Sequence, residues 1–283
     1  MSKFRYKYLF LAIAAILILA ESSCTDYFAA LEKHKDWVVT VEGNIVLHTR
    51  PKDFSNSSSP DDNAIAIITG NQNFYYLLIK DSLGLHYDDK VLLYLFNYDE
   101  ALDVIGTNTG GNSMAARSTI YYTFIPGSYK DIYERDVYVG AHEMVKLITN
   151  RALGTNFTRL MNEGYAAAFA GSYGRTYDEV EEIVTARSIM EWMEIHYMNG
   201  LVLSPEELLF EEGLLDEVFI PNAGLFVRFL WQNYEVQNIN ILFNLKATDI
   251  KTNFNSITGM SFNEMSDSYL EFTDSFFNSK DEE

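Results

Sequence analysis

The chain has a single cysteine in 283 residues. That excludes an internal disulfide and any zinc knuckle built from paired thiolates. Positive charge is also scarce: 21 Lys and Arg stand against 40 Asp and Glu, a net charge of -19. A nucleic-acid binder needs the opposite balance, because its contacts go to phosphates. An anionic bilayer surface would repel the chain too, which leaves a covalent anchor or an inserted segment as the route to a membrane. No Gly-x-Ser-x-Gly elbow and no Gly-Lys-Ser/Thr phosphate cradle occurs, so neither serine catalysis nor a nucleotide fold has its usual signature. The glycine-rich stretch Gly106–Ser113 lacks the dinucleotide order and reads as a loop. No repeat at a solenoid period is present. What the chain does have is apolar material, 48% of its residues with 14% aromatic. That is too much for disorder and enough for a sizeable core.

The lone cysteine has a context. Lys3, Arg5 and Lys7 form a basic start, Tyr8–Ala20 is an uninterrupted apolar run, and Ser22-Ser23-Cys24 follows. The run is short for a membrane span and suits the core of a signal peptide. The arrangement resembles a bacterial lipoprotein signal, with departures at Leu19, five residues before the cysteine, and at Glu21. The resemblance implies cleavage after residue 23, lipidation of Cys24 and an extracytoplasmic protein tethered to the cell envelope. Cleavage would leave 18 basic against 39 acidic side chains, net -21, a charge that keeps a tethered domain soluble and away from the lipid surface. An ordinary secretory signal with an incidental cysteine is the alternative.

The remaining chain changes texture near Gly127. Residues 24–36 read as a linker with a helical lead-in. Trp37–Leu47 alternates and reads as strands around the Glu42-Gly43-Asn44 turn, and Lys90–Phe96 and Ser118–Ile125 read as further strands. Asn63–Leu83 reads as a helix stopped by Gly84, and Asp99–Ile105 as a shorter one. Beyond residue 127, long apolar periodicities predict helices at Asp131–Leu153, Phe157–Ala170, Tyr177–Tyr197 and Asn222–Asn233, with shorter ones to Phe277. Strands first and helices second predict an α+β fold, with a sheet subdomain at 37–127, a helical subdomain at 128–277 and an acidic tail at 278–283.

The chemistry concentrates in two segments. His142-Glu143-Met144-Val145-Lys146 lies in a predicted helix, and Asn162-Glu163-Gly164 opens the apolar run of the next. The first segment resembles the H-E-x-x-H helix of zinc peptidases, in which two histidines one turn apart hold the metal and the glutamate activates its water. The second resembles the N-E-G ligand segment of the gluzincin branch. Ile220–Leu230 and Thr258–Glu264 are similar to later segments of that family, in the family's order. Over residues 37–277 the chain is therefore similar to the peptidase MA-like group.

The resemblance implies a gluzincin-like fold, with His142 and Glu163 as vestigial metal ligands and Glu143 as a vestigial general base. Two departures fall on the chemistry. Lys146 stands where the second zinc histidine belongs, and Ile220 aligns with the tyrosine that steadies the oxyanion. A three-ligand catalytic site reduced to two is poor, and an ammonium repels the cation. The expectation is a catalytically degenerate relative that needs no cofactor, with Lys146 supplying the missing positive charge through a salt bridge to Glu163. It would bind a peptide or protein of unspecified identity in an open cleft lined by Glu143 and Tyr165. The alternative is an active zinc peptidase using His142, Glu163 and an atypical third ligand, with Glu143 as base. His196 reads as a packed or surface residue, and His34, His48 and His86 as surface histidines.

Overall fold

The computed structural model describes residues 36–51, 60–97, 100, 111–124, 140–154, 158–178 and 183–278. The segment read as a signal, Cys24, most of the lead-in, nearly all of Asp99–Ile105, the first part of Asp131–Leu153 and the tail beyond Asn278 lie outside the described residues. Among the described residues no helix is long and apolar enough to cross a membrane.

The fold is α+β. Strands β1 (Val38–Glu42) and β2 (Ile45–Thr49) form a hairpin through Gly43 and Asn44, followed by helix α1 (Asp62–Leu83), β3 (Val91–Asn97), β4 (Gly111–Met114) and β5 (Thr119–Phe124). They build a five-stranded mixed sheet in the order β1-β2-β3-β5-β4. Its inner strands β2, β3 and β5 run parallel, and both outer strands run antiparallel to their neighbours. Strand alternation puts Ile45, Leu47, Val91, Leu93, Leu95, Ile120, Tyr122 and Phe124 on the core face, all buried. Helix α1 covers part of that face with Ala64, Ile68, Gln72, Tyr76, Ile79 and Leu83, which recur at helical spacing. Asp61 caps its start by accepting from the Ala64 N–H at 2.7 Å, and Gly84 ends it in the left-handed region at φ 62.

The second half holds α2 (His142–Ala152), α3 (Arg159–Ala170), the hairpin β6–β7 (Ser172–Asp178 and Ile183–Ser188) and α4 (Ile189–Met198). Then come α5 (Pro205–Phe210), α6 (Asp216–Asn233), α7 (Val236–Phe243), α8 (Ala247–Thr258) and α9 (Phe262–Asn278). One apolar core runs from Ile45 in β2 to Phe277 in α9, so the sheet and the helices stabilise each other. Helices α3 and α6 cross almost backbone to backbone. A Cβ on Gly164 would meet Val227 Cγ2 at 2.7 Å, and one on Gly224 would meet the Ala167 Cβ at 2.9 Å.

Several expectations need correction. Gly111–Ser113, read as the end of a loop, belongs to edge strand β4 (Gly111–Met114), paired with β5 in a regular register. Tyr177–Tyr197 is not one helix: its first part belongs to the β6–β7 hairpin, and the helix starts only at Ile189. The decisive signal is the Ser188-x-x-Glu191 capping box, in which the Ser188 hydroxyl accepts from the Glu191 N–H and the Glu191 carboxylate accepts from the Ser188 N–H. The His142 segment opens its helix rather than lying inside a longer one, because Gly140 and Ala141 precede the first turn without helical structure. His48 is not a surface histidine. Its ring stacks on Tyr94 at 4.3 Å on the sheet's outer face, and burial lowers its pKa. His196 is buried beneath α6, hydrogen-bonded to the Asn222 side chain.

Candidate functional site

The first turn of α2 is held from two sides. The Tyr122 hydroxyl on β5 donates to the Gly140 carbonyl at 3.0 Å, and the Gln72 amide on α1 donates to the same oxygen at 3.3 Å. A spacing of four then puts His142 and Lys146 one above the other on α2. Helix α3 is capped by Thr158, whose hydroxyl accepts from the Met161 N–H. The Asn150 side chain ties the two helices together by donating to the Lys146 carbonyl at 2.7 Å and to Asn162 Oδ1 at 3.0 Å. With both helices registered, Glu163 faces α2.

Four side chains converge there. Glu163 Oε1 lies 2.9 Å from Lys146 Nζ, and Glu163 Oε2 lies 3.1 Å from His142 Nε2. Asn162 Nδ2 donates a further bond to Glu163 Oε1 at 3.1 Å. Lys146 Nζ is also 3.8 Å from Glu143 Oε1, and the other Glu143 oxygen accepts from the Ser113 hydroxyl of β4 at 2.7 Å. The ammonium is thus placed between two carboxylates, nearer to Glu163. Strand β4 reaches the cluster only because residue 111 is glycine: a Cβ there would meet the Tyr122 ring at 2.4 Å and Glu143 Cγ at 3.2 Å.

The electrostatics follow the geometry. Burial by itself would raise the Glu163 pKa, but the hydrogen bond from His142 and the charge of Lys146 outweigh it and hold the carboxyl down at about 2. Burial by itself would lower the Lys146 pKa, but Glu143 and Glu163 together leave it above its ordinary value. Lys146 is therefore an ammonium, with no lone pair for a metal and none for nucleophilic attack. His142 and Glu163 face each other as donor and acceptor. Among the described residues no group of three His, Cys, Asp or Glu side chains is placed to hold a metal ion. The donor set at this site does not fit a three-ligand zinc centre.

The remaining expected positions divide. Ile220 is buried in the core within α6 and has no hydrogen to donate to an oxyanion. Tyr165 does not line a cleft: it is fully buried between Trp231 and Phe243, its hydroxyl bonded to Asn240. A different tyrosine lies within electrostatic reach of the cluster. Burial, together with the charges of Asp216, Glu217 and Glu163, pushes the Tyr173 hydroxyl up to about 12. Tyr173 is the second residue of β6, just after α3, and its carbonyl accepts from the Trp192 indole. The helices expected at Phe157–Ala170 and Tyr177–Tyr197 left Tyr173 between them without an assignment. The chain matches no protein-family model and no curated protein.

Proposed function

We propose that this chain is a cell-envelope lipoprotein with a degenerate peptidase MA-like domain, in which Lys146 takes the place of the metal and which binds an extended peptide instead of cutting it. The observation that carries the reading is the Lys146 ammonium, 2.9 Å from Glu163 and 3.8 Å from Glu143. It neutralises carboxylates that the family pattern would assign to a metal and its water. Hydrolysis would require an activated water and an oxyanion donor, and the removal of one such donor alone typically costs about 10²–10³ in rate.

The peptide-binding element in this reading is the outer edge of β4. The Leu92 N–H donates to the Ser118 carbonyl, so even-numbered residues of β5 turn their backbone groups toward β3 and odd-numbered ones toward β4. Asn112 and Met114 pair with those odd residues, which leaves the N–H and C=O groups of Gly111 and Ser113 directed outward. An extended peptide can add a strand there through main-chain bonds, directly above the Glu143–Lys146–Glu163 cluster. Tethering through Cys24 rests on the sequence pattern before it, and Cys24→Ala should release the protein from membranes.

The test of the binding reading is hydrogen exchange on the purified protein with and without a random-sequence decapeptide pool, alongside zinc analysis and a peptidase assay. Slowed exchange at Gly111 and Ser113, with neither zinc nor cleavage, is the expected result. Stoichiometric zinc with peptide cleavage would replace this reading with an active peptidase using His142 and Glu163.

A further inference from the structure

At the other end of the sheet, far in strand order from β4, β1 is a second edge strand with no further strand on it among the described residues. The Val91 N–H donates to the Asn44 carbonyl at 2.8 Å. Even-numbered residues around β2 therefore turn their backbone groups toward β3, and Ile45, Leu47 and Thr49 turn theirs toward β1. Their partners are Glu42, Thr40 and Val38. By alternation, the N–H and C=O groups of Val39 and Val41 point away from the sheet. The same two residues expose their side chains, at 52% and 55%, and Val38 is 46% exposed.

Edge strands are normally blunted by lysine, proline, a bulge or a covering element. Strand β1 (VVTVE) contains neither lysine nor proline, and its register with β2 is unbroken. Other exposed apolar side chains lie on α1, which packs on the opposite face of the sheet from Val39 and Val41. Asn73 of α1 accepts from the Asn44 N–H, and Phe74, Leu77 and Leu78 beside it on that helix are exposed at 45%, 50% and 38%.

We propose that β1 is a self-association edge, on which two copies of this chain pair antiparallel about Thr40 and join their sheets. The strand is complementary to itself in one register. Centred on Thr40, Val39 lies opposite Val41 of the second copy, and both are residues whose N–H and C=O groups point outward, so each such pair can exchange both backbone bonds. The two Val39 and two Val41 side chains then lie on one face, covering one another. Glu42 falls opposite Val38, so the two carboxylates stay at opposite ends rather than side by side. This is the isologous contact that two-fold symmetry demands. The net charge of -19 per copy opposes association at low ionic strength, so the dimer strengthens as salt screens it.

The register gives a specific test. In the full chain carrying Cys24→Ala, which removes its only cysteine, Thr40→Cys places two thiols across the dyad. Directly opposed residues whose backbone groups do not bond each other have Cα atoms ~4.5 Å apart, within disulfide range. Val38→Cys and Glu42→Cys each place them ~13 Å apart, too far to bridge. Oxidation should give a covalent dimer from Thr40→Cys at least ~10-fold more readily than from the other two, and Val41→Lys added to Thr40→Cys should abolish it. The chain without added cysteines should sediment as a dimer in detergent, more completely at higher salt. Equal bridging at all three positions, bridging indifferent to Val41→Lys, or a monomer at every concentration overturns the proposal.

Discussion

Replacing Lys146 by methionine keeps most of the side chain's length and removes only its charge. The parent site holds Glu163 at about 2 against an ordinary value of 4.5. At ~1.4 kcal/mol per pKa unit, that depression corresponds to about 3 kcal/mol of stability at neutral pH. In Lys146→Met the desolvation of Glu163 persists, with only His142 and Asn162 left to oppose it, and Glu143 loses its nearest ammonium. A loss of about 2–4 kcal/mol follows, in line with breaking one side of a buried ion pair. Urea denaturation at pH 7 measures it through the midpoint, with an unchanged m value showing that the denatured state is not the cause. The double variant Lys146→Met/Glu163→Leu should recover at least half of the loss, because it no longer leaves Glu163 as an uncompensated buried carboxylate. The pH dependence has a definite sign. A carboxyl whose folded pKa is depressed contributes fully above its unfolded value and loses that contribution as pH falls through the folded value. The gap between parent and Lys146→Met should therefore be widest above about pH 4.5 and narrow as pH falls toward 2. A loss below about 0.5 kcal/mol at pH 7, or a gap that stays constant into acid, would refute the argument that this ion pair replaces a metal.

Other perturbations test neighbouring parts of the reasoning. Lys146→His should create a His-His-Glu set, so that zinc at ~100 times its Kd raises Tm by roughly 5–10 °C in differential scanning calorimetry while the parent does not shift; peptidase activity should remain low, because Ile220 offers no oxyanion donor. Asn222 is fully buried, and its carboxamide accepts from the Leu203 N–H at 2.9 Å while donating to the Val218 carbonyl at 2.8 Å; Asn222→Ala should cost about 1–3 kcal/mol in urea denaturation, and a neutral result would contradict that role. Gly224→Ala should destabilise by about 1–3 kcal/mol because its Cβ meets Ala167 at the α3–α6 crossing; adding Ala167→Gly should recover part of that loss, which a merely local helix effect would not allow.

Local patterns were readable where one physical signal acted alone. The end of α1 follows from Gly84, which the structure places in the left-handed region. Strands β3 and β5 are apolar runs long enough to stand without context, and the Glu42-Gly43-Asn44 turn marks the β1–β2 hairpin. The convergence of His142, Lys146 and Glu163 was readable as well, because four residues make one helical turn and a motif on the next helix supplies the partner. Patterns that serve two structures misled. The apolar spacing across Tyr177–Tyr197 suits a helix, yet its first part pairs as a hairpin, because pairing energy depends on a partner strand that periodicity does not register.

The sequence by itself determined the acidic character, the α+β order of elements, and the placement of Lys146 one helical turn after His142. Which way each tyrosine near Glu163 turns was decided only in three dimensions. Tyr165, next but one to Glu163, turns into the core, while Tyr173, ten residues on, lies within reach of its charge. Tertiary packing also made Gly111–Met114 a strand, because only the Tyr122 ring and Glu143 beneath it show why residue 111 has no side chain. A linear chain specifies its chemistry residue by residue, but how close two groups come depends on which faces bury against each other, and burial is a property of the whole core.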